Sequence, residues 1–148
     1  MSLLTLAARD DIAPLLPLVA ASHAGLGLST TEDERRAALE ALHDQDIQAA
    51  IWLIGPRRAP VGYVAVSFGF SLARGGREAT IDEIFVRQAV RGRGMGSQAL
   101  HLLLPMLREM GVRAVHVTLP HATPRALALL ERAGFAPRRD ADQLSRPL

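Results

Sequence analysis

The sequence predicts an α+β fold in which helices flank a mixed central sheet. Two observations predict it. The hydrophobic period changes near residue 47, from helical spacing to apolar and β-branched runs, and the glycine-rich turn Gly92–Gly96 then leads into a long amphipathic helix. The predicted order is β-α-α-β-β-β-α-β-α-β. Because the chain has 148 residues, of which 49% are hydrophobic, we expect one domain over residues 1–148.

The first part of the chain is predicted to form one short strand and two helices. The elements are a strand at residues 3–8, a helix from Ile12 to Ala21 capped by Asp10, a mobile connection at Gly25–Thr30, and a helix from the capping box Thr31–Glu34 to about His43.

The remainder is predicted to form an antiparallel meander and then alternating helices and strands. The predicted strands are Ile47–Ile54, Pro60–Leu72, Ala79–Val86 and Val112–Leu119, with turns at Gly55-Pro56 and Gly75-Gly76. A long helix is predicted to end at Met110, before Gly111. A second helix is predicted at Pro124–Ala133, with Thr123 as its N-cap and Gly134 at its end. From Phe135 onward we expect one or two edge strands.

The composition excludes several kinds of chemistry. The chain has no cysteine, which excludes disulfides, thiolate zinc sites and a cysteine nucleophile, and makes a reducing cytoplasm the expected location. All 17 basic residues are arginine, so there is neither a Walker A lysine nor a Schiff-base lysine. The formal net charge is only +2, so nucleic-acid binding is not expected. We also expect no signal peptide, no membrane span and no metal site.

The turn Arg91–Ser97 carries the strongest functional signal. A helix N-terminus offers free N–H groups and partial positive charge to a phosphate, and glycines let the backbone approach that ligand closely. Gly92, Gly94 and Gly96 recur at every second residue, which is not the G-x-G-x-x-G spacing of a dinucleotide fingerprint. Two interpretations remain open from the residues alone: a pyrophosphate site of another kind, or a turn without a ligand.

The motifs around this turn resemble those of the GCN5-related N-acetyltransferases, the GNAT superfamily. Arg91–Gly96 matches that family's acetyl-CoA loop, Arg/Gln-x-x-Gly-x-Gly/Ala. Asp82–Val86 looks like the strand before the loop, and Ala126–Phe135 resembles the closing helix Ala-x-x-Leu-Tyr-Glu-x-x-Gly-Phe. The motifs are specific from about residue 80 to 136, whereas the first 60 residues agree in element order only. The resemblance implies the GNAT (acyl-CoA N-acyltransferase) fold and an enzyme that moves acetyl from acetyl-CoA to a primary amine by direct attack in a ternary complex.

The resemblance also implies residues for acetyl-CoA. Amides from Arg93 to Ser97 would hold the pyrophosphate, main-chain groups of Phe85 and Val86 would pair with the pantetheine arm, and an amide near Phe85 would polarise the thioester carbonyl. The implied contacts are Phe85, Val86, Arg91, Gly92, Arg93, Gly94, Met95, Gly96, Ser97 and Thr123. Two of the family's positions differ here: its tyrosine general acid falls at Leu130, and its asparagine at Thr123.

A substrate amine must lose a proton, and three residues are candidate catalytic groups. Asp82 and Glu83 are adjacent on a strand, so alternation allows only one of them to face the acceptor. The resemblance favours Asp82, and an ion pair with a helix arginine is the alternative role for Glu83. His116 shares a strand face with Thr118 and either moves protons or is a hydrogen-bonded sheet residue.

The other histidines carry weaker expectations. His121 lies in a loop where it could touch either substrate. His23, His43 and His101 are expected to be solvated residues on helices.

Two functional alternatives follow from these residues. A non-catalytic acyl-CoA-binding or sensing module would keep the glycine turn, with Leu130 marking the lost chemistry. The preferred hypothesis is an enzyme whose acceptor is a small amine or a peptide N-terminus, with selectivity located in the Gly25–Thr30 connection. The resemblance makes a homodimer plausible through the last strand.

Overall fold

The computed structural model describes residues 3–120 and 123–148. Within this part of the chain the elements are β1 (Leu4–Leu6), α1 (Ile12–Gly25), α2 (Glu32–Leu42), β2 (Ala49–Ile54), β3 (Gly62–Ser71), β4 (Gly76–Val86), α3 (Met95–Glu109), β5 (Val112–Val117) and α4 (Pro124–Arg132). Short 3-10 turns at Arg9–Asp11 and Gln88–Val90 precede α1 and the glycine turn.

The strands form one mixed sheet in the order β1-β2-β3-β4-β5. The first four strands are antiparallel neighbours, as expected for a meander. Strand β5 runs parallel to β4, because α3 carries the chain back across the sheet between them. The prediction of an α+β fold with a mixed, helix-flanked sheet is confirmed.

Each face of the sheet is covered by a separate pair of helices. On one face α1 and α2 pack Leu15, Val19 and Leu39 against alternate residues of β2 and β3, including Leu53 and Tyr63. The opposite face carries α3 and α4, and its buried residues include Trp52, Val64, Ile81, Leu100, Leu103, Leu107 and Leu130. Since successive strand residues point to opposite faces, strands that are apolar throughout contribute side chains to both cores.

Two irregularities in β4 determine where a ligand can approach. The register with β3 moves from Ala65 opposite Glu83 to Val66 opposite Ile81, so Asp82 is an extra, bulged residue. Pairing with β5 ends at Ile81, opposite Val117. Beyond that point the two parallel strands separate, and the edge of β4 from Asp82 to Val86 no longer forms a ladder with β5.

Most helix ends lie within one or two residues of where local sequence signals predict them. The Thr31 capping box is present: Thr31 Oγ1 accepts from the Glu34 amide, and Glu34 Oε1 accepts from the Thr31 amide, both at 3.1 Å. These hydrogen bonds hold the pKa of Glu34 below its usual value. Gly111 has φ +86°, the left-handed conformation of a residue that ends a helix.

Three predicted details are wrong. Helix α1 continues to Gly25, four residues past its expected end at Ala21 and into the start of the predicted connection. Asp11, not Asp10, is at the N-cap of α1, and its carboxylate accepts from the Ala8 amide at 2.8 Å in the preceding 3-10 turn. The tail from residue 136 forms no strand and is exposed. It contains Pro137, Pro147 and several charged residues instead of alternating apolar ones, so it offers a sheet edge little to bury. The tail therefore does not supply the strand through which dimerisation was expected.

Among the helices that the structure describes, none is long and apolar enough to cross a bilayer.

Candidate functional site

The glycine turn forms an uncapped helix N-terminus. Gly92 and Gly94 have φ values of +83° and +77°, which side chains rarely tolerate. Gly94 is the N-cap of α3 and has no side chain that could accept a hydrogen bond from the first turn. The amides of Met95, Gly96 and Ser97 therefore open the helix without a capping acceptor from this position, and the positive end of the helix dipole remains available to an anion.

This helix end opens into a cavity of about 740 Å³. Its wall is formed by the separated end of β4, the glycine turn, and one side of α4. Of the ten residues assigned to acetyl-CoA from the sequence, nine line it: Phe85, Val86, Arg91, Gly92, Gly94, Met95, Gly96, Ser97 and Thr123. Arg93 is exposed on the turn and is not part of the wall. The volume lies in the usual range for small-molecule sites.

Three arginines line the wall of the cavity. Arg91 Nε donates to the Val86 carbonyl at 2.7 Å, and its guanidinium lies 5.4 Å from the centroid of the Phe85 ring. Arg125 and Arg132 also line the wall but were missed by sequence reasoning. They are seven residues apart, which places them on one side of α4 and is the signal that could have found them.

The closing helix contributes both a cap and an apolar wall. Thr123 Oγ1 accepts from the Ala126 amide at 3.1 Å, so its oxygen already caps α4. Leu130 stands where the resemblance places a tyrosine; it is 7% exposed and its side chain both lines the cavity and packs in the core. No proton donor is present at this point of the wall.

A polar cluster lies on the other face of the sheet, around Glu83. Tyr63 donates its hydroxyl proton to Glu83 Oε1 at 2.6 Å. His23 Nε2 is 3.1 Å from each oxygen of the same carboxylate, and His23 Nδ1 is 2.8 Å from Thr30 Oγ1. The Glu83 side chain is 30% exposed and that of His23 is 13% exposed. The alternative role considered for Glu83, an ion pair with a helix arginine, is therefore not found, and the expectation of a solvated His23 is wrong.

Burial also alters the acidity of the phenol in this cluster. Tyr63 is 1% exposed, and this desolvation, reinforced by the negative charge of Glu83 and the hydrogen bond to it, raises the pKa of Tyr63 well above its usual value. A hydrogen bond from Ser22 opposes the shift. Tyr63 therefore remains a neutral donor to Glu83 across the physiological range.

The bulge in β4 removes the reason to expect the side chains of Asp82 and Glu83 on opposite faces of the sheet. Ile81 and Ile84 are three residues apart, yet both pack in the core beneath α3 and α4, so strict alternation is interrupted between them. The adjacency of Asp82 and Glu83 consequently does not force them onto opposite faces. Asp82 is exposed, and among the described residues no side chain forms a hydrogen bond or ion pair with its carboxylate.

The remaining histidines do not join this cluster. His116 Nε2 pairs with Glu78 Oε2, and Arg74 Nη1 lies 3.1 Å from Glu78 Oε1. The hydrogen bond from His116 is the main cause that lowers the pKa of Glu78.

Two other histidines lie apart from the Glu83 cluster as well. His43 Nδ1 hydrogen-bonds the Leu39 carbonyl at 2.8 Å and so is not merely solvated, whereas His101 is exposed. His121 lies outside the described residues. Within the described ranges there is no cluster of three or more residues suited to bind a metal ion.

Comparison with known proteins agrees with this geometry. The model of the Acetyltransferase (GNAT) family matches residues 18–135, which include the glycine turn, β4 and α4. The chain belongs to the GNAT acetyltransferase family. Membership of this GNAT family supports acyl transfer as the general class of activity.

Solved structures match the GNAT fold along nearly the whole chain. An integron cassette protein from the mobile metagenome of Cole Harbour Salt Marsh is 29% identical with a TM-score of 0.82, over 99% of this chain and 92% of that one. A probable acetyltransferase superposes with a TM-score of 0.89 at 19% identity, covering 100% and 98% of the two chains. The ribosomal-protein-alanine N-acetyltransferase of Brucella melitensis biovar Abortus 2308 gives 0.80 at 20% identity, covering 98% of each. No curated protein matches the chain.

Proposed function

We propose that this GNAT protein is a single-domain N-acetyltransferase that moves the acetyl group of acetyl-CoA to a primary amine. The observation that carries the proposal is the arrangement of two sites on opposite faces of β4. The uncapped end of α3 opens into the cavity on one side, and the Glu83 cluster lies on the other. The separated edge of β4 connects the two sites, so a thioester lying along it is accessible from the acceptor side.

The cavity fits the chemistry of acetyl-CoA. Its pyrophosphate would meet the amides of the α3 first turn, where the absent Gly94 side chain leaves room for a close approach. Arg125 and Arg132 would add positive charge. The pantetheine arm would lie along the unpaired edge at Phe85 and Val86, as an added strand does, and Arg91 would release the Val86 carbonyl to accept its amide.

The reaction follows from these placements. The acceptor enters as an ammonium ion and gives one proton to Glu83, and its freed lone pair then attacks the thioester carbonyl carbon. An amide near Phe85 stabilises the developing oxyanion. The carbon–sulfur bond breaks, the nitrogen gives its second proton to water as the neutral product amide forms, and CoA leaves as a thiolate that takes a proton back from water. Because the chain has no cysteine, a thioester relay through the enzyme is excluded, which supports direct transfer of the acetyl group to the amine within a ternary complex.

The charge around Glu83 and Asp82 supports a proposal for the class of acceptor. Two carboxylates at the bulge favour a cationic acceptor, either a small amine or a peptide N-terminus. One structural neighbour is described as acting on ribosomal-protein alanine, which makes peptide N-termini a sensible first group to screen.

A non-catalytic acyl-CoA-binding module is the second candidate, because Leu130 places an apolar wall where a proton donor is expected. Calorimetric titration with acetyl-CoA, followed by a thiol-release assay over a panel of amines and peptides, separates the two. Binding with turnover supports the enzyme, and binding without turnover on the full panel supports the module. Absence of binding to acetyl-CoA and to CoA contradicts both.

Introducing a phenol at Leu130 should raise turnover. Leu130→Tyr places an O–H donor in the cavity wall, and we expect kcat to increase about threefold to tenfold if protonation of the thiolate limits the rate. The larger side chain should also destabilise the fold by ~1–3 kcal/mol through overpacking. Leu130→Phe is the matched control, since it adds the ring without the hydroxyl. An equal change in both variants would show that the phenol proton has no role.

His116 is proposed to have a structural role, since its side chain pairs with Glu78 and does not approach the Glu83 cluster. We expect His116→Ala to change kcat/KM by less than about threefold, as for surface ion-pair positions. Removing the hydrogen bond should return the pKa of Glu78 toward its usual value, which carboxylate NMR shifts would report. A loss of kcat of about 100-fold or more would instead return His116 to the catalytic group.

A further inference from the structure

His23 belongs to a chain of hydrogen bonds that ends at the proposed catalytic carboxylate. Residues 23 and 83 are 60 positions apart in sequence, and only the packing of α1 on the sheet brings them together. Gly27, with φ +73°, lets the chain turn back after α1, and the Leu28 amide donates to the His23 carbonyl at 2.9 Å. This turn brings the side chain of Thr30 next to the imidazole ring of His23.

The direction of these hydrogen bonds can be assigned. A carboxylate only accepts, and both oxygens of Glu83 lie 3.1 Å from His23 Nε2, so Nε2 carries a proton. In the neutral ring Nδ1 is then an acceptor, and the hydroxyl of Thr30 must donate to it across 2.8 Å. Arg35 fits this direction, since its Nη1 donates to Thr30 Oγ1 at 3.2 Å and also to the Thr30 carbonyl.

The hydrogen bonds therefore all run in one direction: Arg35 donates to Thr30, Thr30 donates to His23, and His23 donates to Glu83. Tyr63, on β3, donates to the same carboxylate. A carboxylate held by two donors from different elements cannot rotate freely, and its remaining lone pairs point in a fixed direction.

We propose that His23 is a positioning residue for Glu83. It orients the carboxylate toward the acceptor amine and ties that orientation to the connection between α1 and α2 through Thr30. This rests on the function proposed above, in which Glu83 takes the proton of the acceptor. Because the ring is 13% exposed and already bonded at both nitrogens, His23 does not itself take the proton of the amine.

The tautomer of His23 tests the inference without any assay of activity. Long-range ¹H–¹⁵N NMR spectra of the wild-type protein, recorded under conditions where the ¹⁵N shifts themselves show the His23 ring to be neutral, should show it protonated on Nε2. Thr30→Val should weaken that preference, whereas Thr30→Ser should retain it. A neutral ring protonated on Nδ1 would overturn the assignment, whether or not the protein proves to be an acetyltransferase.

Kinetics test the positioning role itself. We expect His23→Ala to lower kcat about 10-fold to 100-fold, because a misplaced catalytic group is costly, while the KM for acetyl-CoA changes little. His23→Gln retains an N–H near the position of Nε2 and should recover most of the loss. The exposed helix residue His101, replaced by Ala, is the matched control and should behave as wild type.

A double-mutant cycle separates positioning from general stabilisation. In the Glu83→Gln background, His23→Ala should add no further loss of kcat, since the group that it positions is already disabled. A full, independent loss in that background, or a Gln variant no better than Ala, would contradict the proposal. Absence of turnover in the wild type, with acetyl-CoA binding intact, would refute the enzymatic function while the NMR result still decides the His23–Glu83 interaction.

Discussion

Gly96→Asp is expected to abolish useful acetyl-CoA binding while leaving the fold intact. Gly96 is the second residue of α3, inside the first turn that faces the cavity. An aspartate there would place a negative charge where the pyrophosphate is proposed to bind, and like charges in a binding site cost several kcal/mol. We expect affinity to fall at least about 100-fold, or ~2.7 kcal/mol, by calorimetry.

The same substitution should not harm folding, which makes the result interpretable. A Cβ at Gly96 would lie 3.4 Å from Leu129 Cδ1, an ordinary contact with the end of a flexible side chain. Aspartate in the first turn of a helix interacts favourably with the helix dipole by ~0.3–1 kcal/mol, so the melting temperature should stay level or rise. Gly96→Asn has the same shape without the charge and should lose no more than about tenfold in affinity. Equal losses for Asp and Asn would show that phosphate charge is not recognised at this turn.

Features set by neighbouring residues could be predicted from the sequence. The Thr31 capping box, the meander of β2 to β4 and the positive φ of Gly111 each depend on short stretches whose propensities agree with the fold. The glycine turn was located for the same reason, because free amides and left-handed conformations are local properties.

Two of the failures depended on features that neighbouring residues do not reveal, whereas the third was a local error. The sequence predicts a solvated His23, because its own helix gives no sign that Glu83 lies against it. The assumption that Asp82 and Glu83 must face opposite ways relied on regular alternation, which one bulged residue in β4 interrupts. The expected tail strands lacked what makes a strand, an apolar alternation that a partner could bury.

The bulge also bears on which carboxylate takes the proton. The resemblance favours Asp82, whereas the structure places Glu83 between Tyr63 and His23 and leaves Asp82 exposed. An oriented and half-buried carboxylate is the better general base, because its lone pairs are directed before the substrate arrives. An exposed one rotates freely and is screened by solvent. We therefore propose Glu83 as the general base, and we propose that Asp82 attracts a cationic acceptor at the rim.

Glu83→Gln is expected to lower kcat by about 100-fold to 10,000-fold, the usual contribution of a positioned general base. Glutamine has nearly the same shape, and its carbonyl oxygen can still accept from Tyr63, so the fold should be preserved. Acetyl-CoA affinity should not change, since Glu83 does not line the cavity proposed to bind acetyl-CoA. Steady-state kinetics at saturating acetyl-CoA, with calorimetry on the same preparations, measure both quantities.

Asp82→Asn is the matched comparison, one residue away on the same strand. Its main effect should be a rise of a few fold in the KM for cationic acceptors, because an exposed charge contributes ~0.2–1 kcal/mol to such an interaction. The opposite pattern, with kcat falling about 100-fold in Asp82→Asn and little changed in Glu83→Gln, would assign the base to Asp82. The cluster of Tyr63, His23 and Glu83 would then serve to hold α1 against the sheet, and the positioning role of His23 would fail with it.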